Sequence, residues 1–167
     1  MRTLLAALVA VTILYGPTVN AQAHARASAG FDDGYQAPSV GIALEATLPA
    51  PRSSVTAGVR ISGDVVLTDR LPYGRAFAGD GRAGVEADVY RLGLEAIVYG
   101  ARVRGLRPYG KAGIVSEFVQ VPIDIAASAG WTDAVAGLGL EVGRLYIEGT
   151  HGFGDVSRRR LAVGIQF

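Results

Sequence analysis

The sequence predicts an all-β chain of eight antiparallel strands that run up and down in order. Three observations carry this. Apolar residues recur at every second position over most of the chain beyond residue 21, the period of a strand. The alternating segments are rich in Gly, Val, Ile and Thr, and Gly penalises helices while β-branched residues suit strands. The links between segments are long and short in turn, so the long ones gather at one end.

Length and composition bound the rest. A chain of 167 residues is one ordinary domain. Half of it is hydrophobic and its net charge is +1, which argues against disorder. Gly is 23 residues, about twice the usual share. Cys is absent, which excludes a disulfide scaffold and a Cys-ligated metal. Two histidines leave little for a metal or Cys/His site, so no metal and no cofactor is expected. Lys+Arg 16 against Asp+Glu 15 leaves no basic excess, so no nucleic-acid partner is expected.

The N-terminus reads as an export signal. Arg2 is followed by an apolar run from Leu4 to Tyr15, broken only by Thr12. The run is short of the about 20 residues a membrane helix needs. Gly16 and Pro17 end it, and small residues follow in Val19-Asn20-Ala21, Ala21-Gln22-Ala23 and Ala23-His24-Ala25. This order is that of a secretory signal peptide. It assigns 1–21 to the signal, with cleavage up to residue 25, and 22–167 to one domain. An anchor helix is the alternative. No apolar run of about 18 residues occurs later, so no transmembrane helix is expected.

The strands follow in order. In 22–31, Ala23, Ala25, Ala27, Ala29 and Phe31 alternate with Gln22, His24, Arg26, Ser28 and Gly30. Ala is a poor strand former, so this strand has the weakest signal. In 39–48, Val40, Ile42, Leu44, Ala46 and Leu48 share a face opposite Glu45. In 54–67, Val55, Ala57, Val59, Ile61 and Val65 oppose Arg60 and Asp64. In 84–99, Leu92, Leu94, Ala96 and Val98 oppose Arg91, Glu95 and Tyr99. The segments 108–121 and 131–142 follow, the second with Leu138, Leu140 and Val142 opposite Glu141. In 144–153, Leu145 and Ile147 oppose Tyr146, Glu148 and Thr150. In 158–167, Leu161, Val163, Ile165 and Phe167 oppose Arg160, Ala162, Gly164 and Gln166. Long links are expected at 32–38, 68–83 and 122–130, with a brief one at 154–157. Shorter ones fall at 49–53, 100–107 and 143–144.

An alternating strand has two readings. A soluble barrel or sandwich puts the apolar face inside. A transmembrane barrel faces it to lipid and lines its lumen with the polar face. Three features favour the second. The polar face mixes Gly and Ala with isolated charges of both signs, which suits a narrow interior. The chain carries an export signal. It ends on Phe167 in an alternating apolar strand. A soluble periplasmic barrel holding a small apolar ligand is an alternative. It requires Val40, Ile42, Leu44, Leu138 and Leu140 to line a cavity.

Three segments bring a family into view. They are Leu161-Ala-Val-Gly-Ile-Gln-Phe167, Arg107-Pro-Tyr-Gly-Lys-Ala-Gly113, and Ala136-Gly-Leu-Gly-Leu-Glu141 leading to Leu145-Tyr-Ile-Glu148. They resemble the small eight-stranded outer-membrane β-barrels of Gram-negative bacteria, the OmpA/OmpX-like type. The resemblance implies an eight-stranded antiparallel up-and-down transmembrane β-barrel in the outer membrane. It also implies that Leu161, Val163, Ile165 and Phe167 form the signal read by the barrel-assembly machinery. Candidates for its aromatic girdles are Phe31, Tyr90, Tyr99, Phe118, Trp131, Phe153 and Phe167.

Functional expectations are modest. Eight strands enclose an interior that side chains nearly fill, so a wide pore is not expected. Glu45, Arg60, Arg91, Glu95, Lys111, Glu117, Glu141 and Glu148 are expected to pair in the lumen, where an unpaired charge is costly. Ion conduction is the other reading of that set. A lipid A-modifying enzyme is an alternative of another class. The deacylase type resembles this chain in architecture and places a Ser two residues after its His. Phe153 stands at that position after His151, so no catalytic residue is assigned. The Gly-rich stretches lack the Lys of a phosphate loop. Asp32-Asp33-Gly34 lacks the further ligands of a calcium loop and reads as a turn. The link 68–83, with Tyr73, Arg75 and Phe77, is the expected contact surface, because loops on a rigid scaffold carry function. Arg158 and Arg159 are expected at the extracellular edge, where lipopolysaccharide phosphates are one partner and solvent the plainer one. Outer-membrane lipids are the expected surroundings, and the surface partner is unknown.

Overall fold

The computed structural model describes residues 22–48, 55–68, 88–121, 127–154 and 158–167; at 120, 121 and 127–129 the description is of the backbone. The expected signal segment 1–21 and the expected contact residues Tyr73, Arg75 and Phe77 lie outside it. The described strands are β1 (Gln22–Asp32), β2 (Ala37–Leu48), β3 (Thr56–Val66), β4 (Asp88–Tyr99), β5 (Leu106–Val121), β6 (Ala127–Val142), β7 (Leu145–Gly152) and β8 (Arg158–Gln166). Each pairs antiparallel with its neighbours in sequence, and β1 pairs with β8 from Arg26↔Gln166 to Asp32↔Arg160. The sheet closes and leaves no edge strand among the described residues, which removes the hazard of unpaired backbone groups in lipid.

The weak first strand forms in full. Its eleven residues pair with β2 from Gln22↔Thr47 to Asp32↔Ala37, so neighbours on both sides supply what alanine propensity does not. Other boundaries differ from expectation. Strand β5 starts at Leu106 and not at Pro108, which lies two residues inside it, opposite Leu140. The Pro108 carbonyl accepts a hydrogen bond from Gly100 N at 2.8 Å, just beyond the last residue of β4. The missing N–H therefore falls at the end of a ladder, where a strand tolerates proline. The link expected over 122–130 is shorter, because β6 starts at Ala127, paired with Val121. Ala127-Ser-Ala-Gly130 carries no apolar alternation, but a backbone ladder does not require one. Strand β4 is described from Asp88, and the expected start at 84 lies outside the description.

Strand parity puts most of the large aliphatics outside, while Val66, Val89, Ile97, Val119 and Val135 are buried on the inner face. Ile42 is 73% exposed and Leu138 76%, and Val40 and Leu44 are also exposed. Leu140 shares their outward face in β6. The residues that a soluble barrel would need around an apolar cavity thus form its outer wall, and that reading is overturned. The aromatic candidates divide. Phe31, Tyr90, Phe118, Phe153 and Phe167 are exposed. Tyr99 is buried in the lumen, on the parity it shares with Glu95. Trp131 is also not a girdle residue: it packs against an interior cluster of Tyr35, Ala37, Val66, Val89 and Val119.

Candidate functional site

The lumen is layered. The end holding the tight turn at 143–144 is here the lower end, and the end holding links 33–36, 67–87, 122–126 and 153–157 the upper. The lower layer is aromatic, with Ile97, Tyr99 and Tyr109 in one cluster. Gly139, opposite Tyr109 on β6, lies under the tyrosine ring, and a Cβ there would collide with it. Glycine is required at this close approach.

Above this layer lies a belt of charge built by strand register. Glu45 on β2 faces Arg60 on β3, which faces Glu95 on β4. Arg60 donates to Glu45 at 3.0 Å and across the lumen to Glu148 at 2.8 Å. Lys111 holds Glu95 and Glu148, each at 2.9 Å. The Tyr109 hydroxyl donates to Glu148 at 2.8 Å and that of Tyr99 to Glu45. Arg26 bridges Glu45, at 3.1 Å, and Glu141. Its guanidinium also lies 4.8 Å from the Tyr146 ring, a favourable place for a desolvated cation.

A second belt repeats the pattern higher up. Asp64 on β3 faces Arg91 on β4, which faces Glu117 on β5. Arg91 donates to Glu117 at 2.8 Å and to Asp32 at 2.6 Å. Glu117 also accepts from Arg158 and from the Tyr35 hydroxyl. Asp64 is held by Arg160 at 2.7 Å. Between the belts is a cavity of about 80 Å³ lined by residues of both, among them Arg60, Glu95, Glu148, Arg91 and Glu117. Its polar walls suit a few water molecules.

The eight charged residues expected in the lumen are all there, and register decides their partners. Five further charges join the network: Arg26, Asp32, Asp64, Arg158 and Arg160. Arg26 was readable from parity once its weak strand was accepted. Asp32 is the last residue of β1 and not part of the turn, so its carboxylate enters the lumen and also accepts from Tyr35 N at 3.1 Å. Arg158 is corrected too. It is 8% exposed and reaches inward to Glu117, because it shares a face with Arg160. Arg159 alone of the three points outward, opposite His151. The His151 ring meets Phe153 edge-on at 4.7 Å. Leu161, Val163, Ile165 and Phe167, the residues of the expected assembly signal, form one exposed outer stripe.

A closed eight-stranded antiparallel barrel, apolar outside and lined with paired charges inside, defines a class: the fold is that of the small outer-membrane barrels. No protein-family model and no curated protein sequence matches the chain. Among solved structures it is similar to the N-terminal β-barrel domain of Pseudomonas aeruginosa OprF, with TM-score 0.53 and 17% identity over 89% of this chain and 98% of that one. Neisserial surface protein A gives TM-score 0.52 and 11% identity, covering 87% and 94%. A major outer membrane protein from Thermus thermophilus gives 0.50 and 16%, covering 89% and 100%. At these identities the likeness is one of fold.

Proposed function

We propose that this chain is an outer-membrane barrel with a structural and surface-interaction role, exerted through the links at its upper end, and not a wide pore. The observation that carries the reading is the filled lumen. Two belts of ion pairs and an aromatic layer leave a cavity of only about 80 Å³ between them. The upper links include 67–87, the longest in the chain, with Tyr73, Arg75 and Phe77 as its contact residues. Arg159, outward at the upper rim, is the remaining cation for a lipopolysaccharide phosphate, since Arg binds phosphate through paired donors. The outer stripe ending at Phe167 is the face offered to the assembly machinery. The lipid A-modifying alternative is not favoured, because an aromatic ring and not a hydroxyl follows His151 at the required spacing.

The test replaces residues 68–83 by a short Gly-Ser link in expressing cells. The shortened barrel is expected in the outer-membrane fraction with an intact mobility shift between unboiled and boiled samples. Adhesion of those cells to host cells or matrix is expected to fall to that of cells lacking the protein. Unchanged adhesion overturns the surface role. Large conductance steps from the purified barrel in a planar bilayer overturn the closed lumen.

A further inference from the structure

The mature chain, 22–167, holds 15 basic and 15 acidic residues, yet its two ends differ. The lower links, 49–55, 100–105 and 143–144, carry Arg52, Arg102, Arg104 and Arg144 and no Asp or Glu. Arg107, at the foot of β5, is not part of this set: it shares the inner face with Tyr109 and caps the lumen, 4.2 Å from the Tyr99 ring. The upper links carry six acidic residues and three basic ones. Apart from Arg52, which lies outside the description, none of these lower arginines has a carboxylate partner within ion-pair distance among the described residues.

The hairpin between β4 and β5 shows that this charge is not a by-product of the turn. Val103 and Leu106 exchange backbone hydrogen bonds at 2.8 and 3.0 Å. The two residues between them, Arg104 and Gly105, have φ of 51° and 84°. Such a turn ordinarily takes Asn, Asp or Gly at its first position. Arginine there serves something other than the backbone. On the same tip Val103 is 63% and Leu106 41% exposed. Arg144 repeats the pairing of cation and aliphatics, between exposed Val142 and Leu145. From that turn an apolar groove runs over the outer wall, lined by Leu140, Leu145, Val163, Ala27 and Ala29.

We propose that the lower rim binds an anionic phospholipid of the periplasmic leaflet. Its phosphate is held by Arg102, Arg104 and Arg144, and an acyl chain lies in the groove beside Arg144. The lower end is periplasmic because short turns and not long loops face that side in such barrels, and the proposal rests on the outer-membrane reading above. Arginine at a water–lipid boundary, beside aliphatic side chains that enter the lipid, matches a phosphate and its acyl chain in both charge and position.

The test uses the full mature chain in vesicles of phosphatidylcholine with phosphatidylglycerol. Native mass spectrometry after detergent release counts the lipid retained on each barrel. Wild type is expected to retain phosphatidylglycerol over phosphatidylcholine. The variant with Arg102, Arg104 and Arg144 all changed to Gln is expected to retain about tenfold less phosphatidylglycerol, with phosphatidylcholine unchanged. Arg159→Gln, at the other rim, is expected to behave as wild type. Equal retention by wild type and the triple variant overturns the proposal, as does an equal loss in Arg159→Gln. If the triple variant instead loses co-sedimentation with isolated peptidoglycan while keeping its lipid, the rim serves the cell wall and the proposal falls. An intact boiling shift beside lost lipid preference in wild type sinks the lipid site alone; a missing shift in wild type sinks the barrel reading with it.

Discussion

The lower and upper belts of the lumen use the same chemistry with different redundancy. In the lower belt, Glu45, Glu95, Glu141 and Glu148 share Arg26, Arg60 and Lys111, and Glu45 and Glu148 each have two cations and a tyrosine hydroxyl. In the upper belt, Glu117 alone gathers Arg91, Arg158 and Tyr35, while Arg160 and Asp64 stand as a separate pair. The lower belt lies above an aromatic floor, and the upper belt lies beside the interior cluster around Tyr35 and Trp131. The difference teaches where a buried charge becomes a liability. A carboxylate with several partners survives the loss of one. Losing a shared cation is different, because without Arg60 the four carboxylates of the lower belt are left to two cations, Arg26 and Lys111.

The largest effect is therefore expected at Arg60, which serves Glu45 and Glu148 together. Arg60→Leu is expected to cost about 3–5 kcal/mol, the penalty of stranding buried charge, read from urea unfolding in lipid vesicles by the gel shift. Adding Glu148→Gln to that variant should return part of the loss; strict additivity would mean the two residues are not coupled. On the outer wall, Ile42→Arg is expected to cost about 2–4 kcal/mol, as a charge at the lipid midplane does. A neutral result would place the wall in water. In the upper belt, Glu117→Gln should cost about 2 kcal/mol, because hydrogen bonds to a charged group are lost while Arg91 keeps Asp32. Its loosening should appear as faster amide exchange near Glu117 and Arg158, with the lower belt unchanged. The smallest effect is expected for Tyr35→Phe, about 1 kcal/mol for one hydrogen bond. Tyr109→Phe should match it, and a much larger loss there would make the aromatic floor more than a cover.

How much was legible varies by residue for physical reasons. Parity is local, so Arg60, Glu95 and Glu148 could be placed on the inner face from the sequence. Arg26 sits on the same kind of face, but alanines at 23, 25, 27 and 29 weaken the alternation around it. Asp32 was hidden by Asp33 and Gly34, which look like a turn. Arg158 was hidden by its two neighbours, since a run of three arginines reads as a charged edge until parity separates Arg159 from the others. Tyr99 and Trp131 were misjudged as girdle residues because aromatic identity says nothing about facing.

The sequence by itself determined the strand number, the inner and outer faces and the direction of the meander, because each depends on side-chain alternation and link length within a short stretch of chain. Only the tertiary structure decided which acid meets which base, since Glu45, Arg60 and Glu95 come level through register and Arg60 reaches Glu148 through closure. It alone showed that the arginines of separate links gather at one rim. Register and closure are set by backbone pairing between strands distant in sequence, and no local pattern records them.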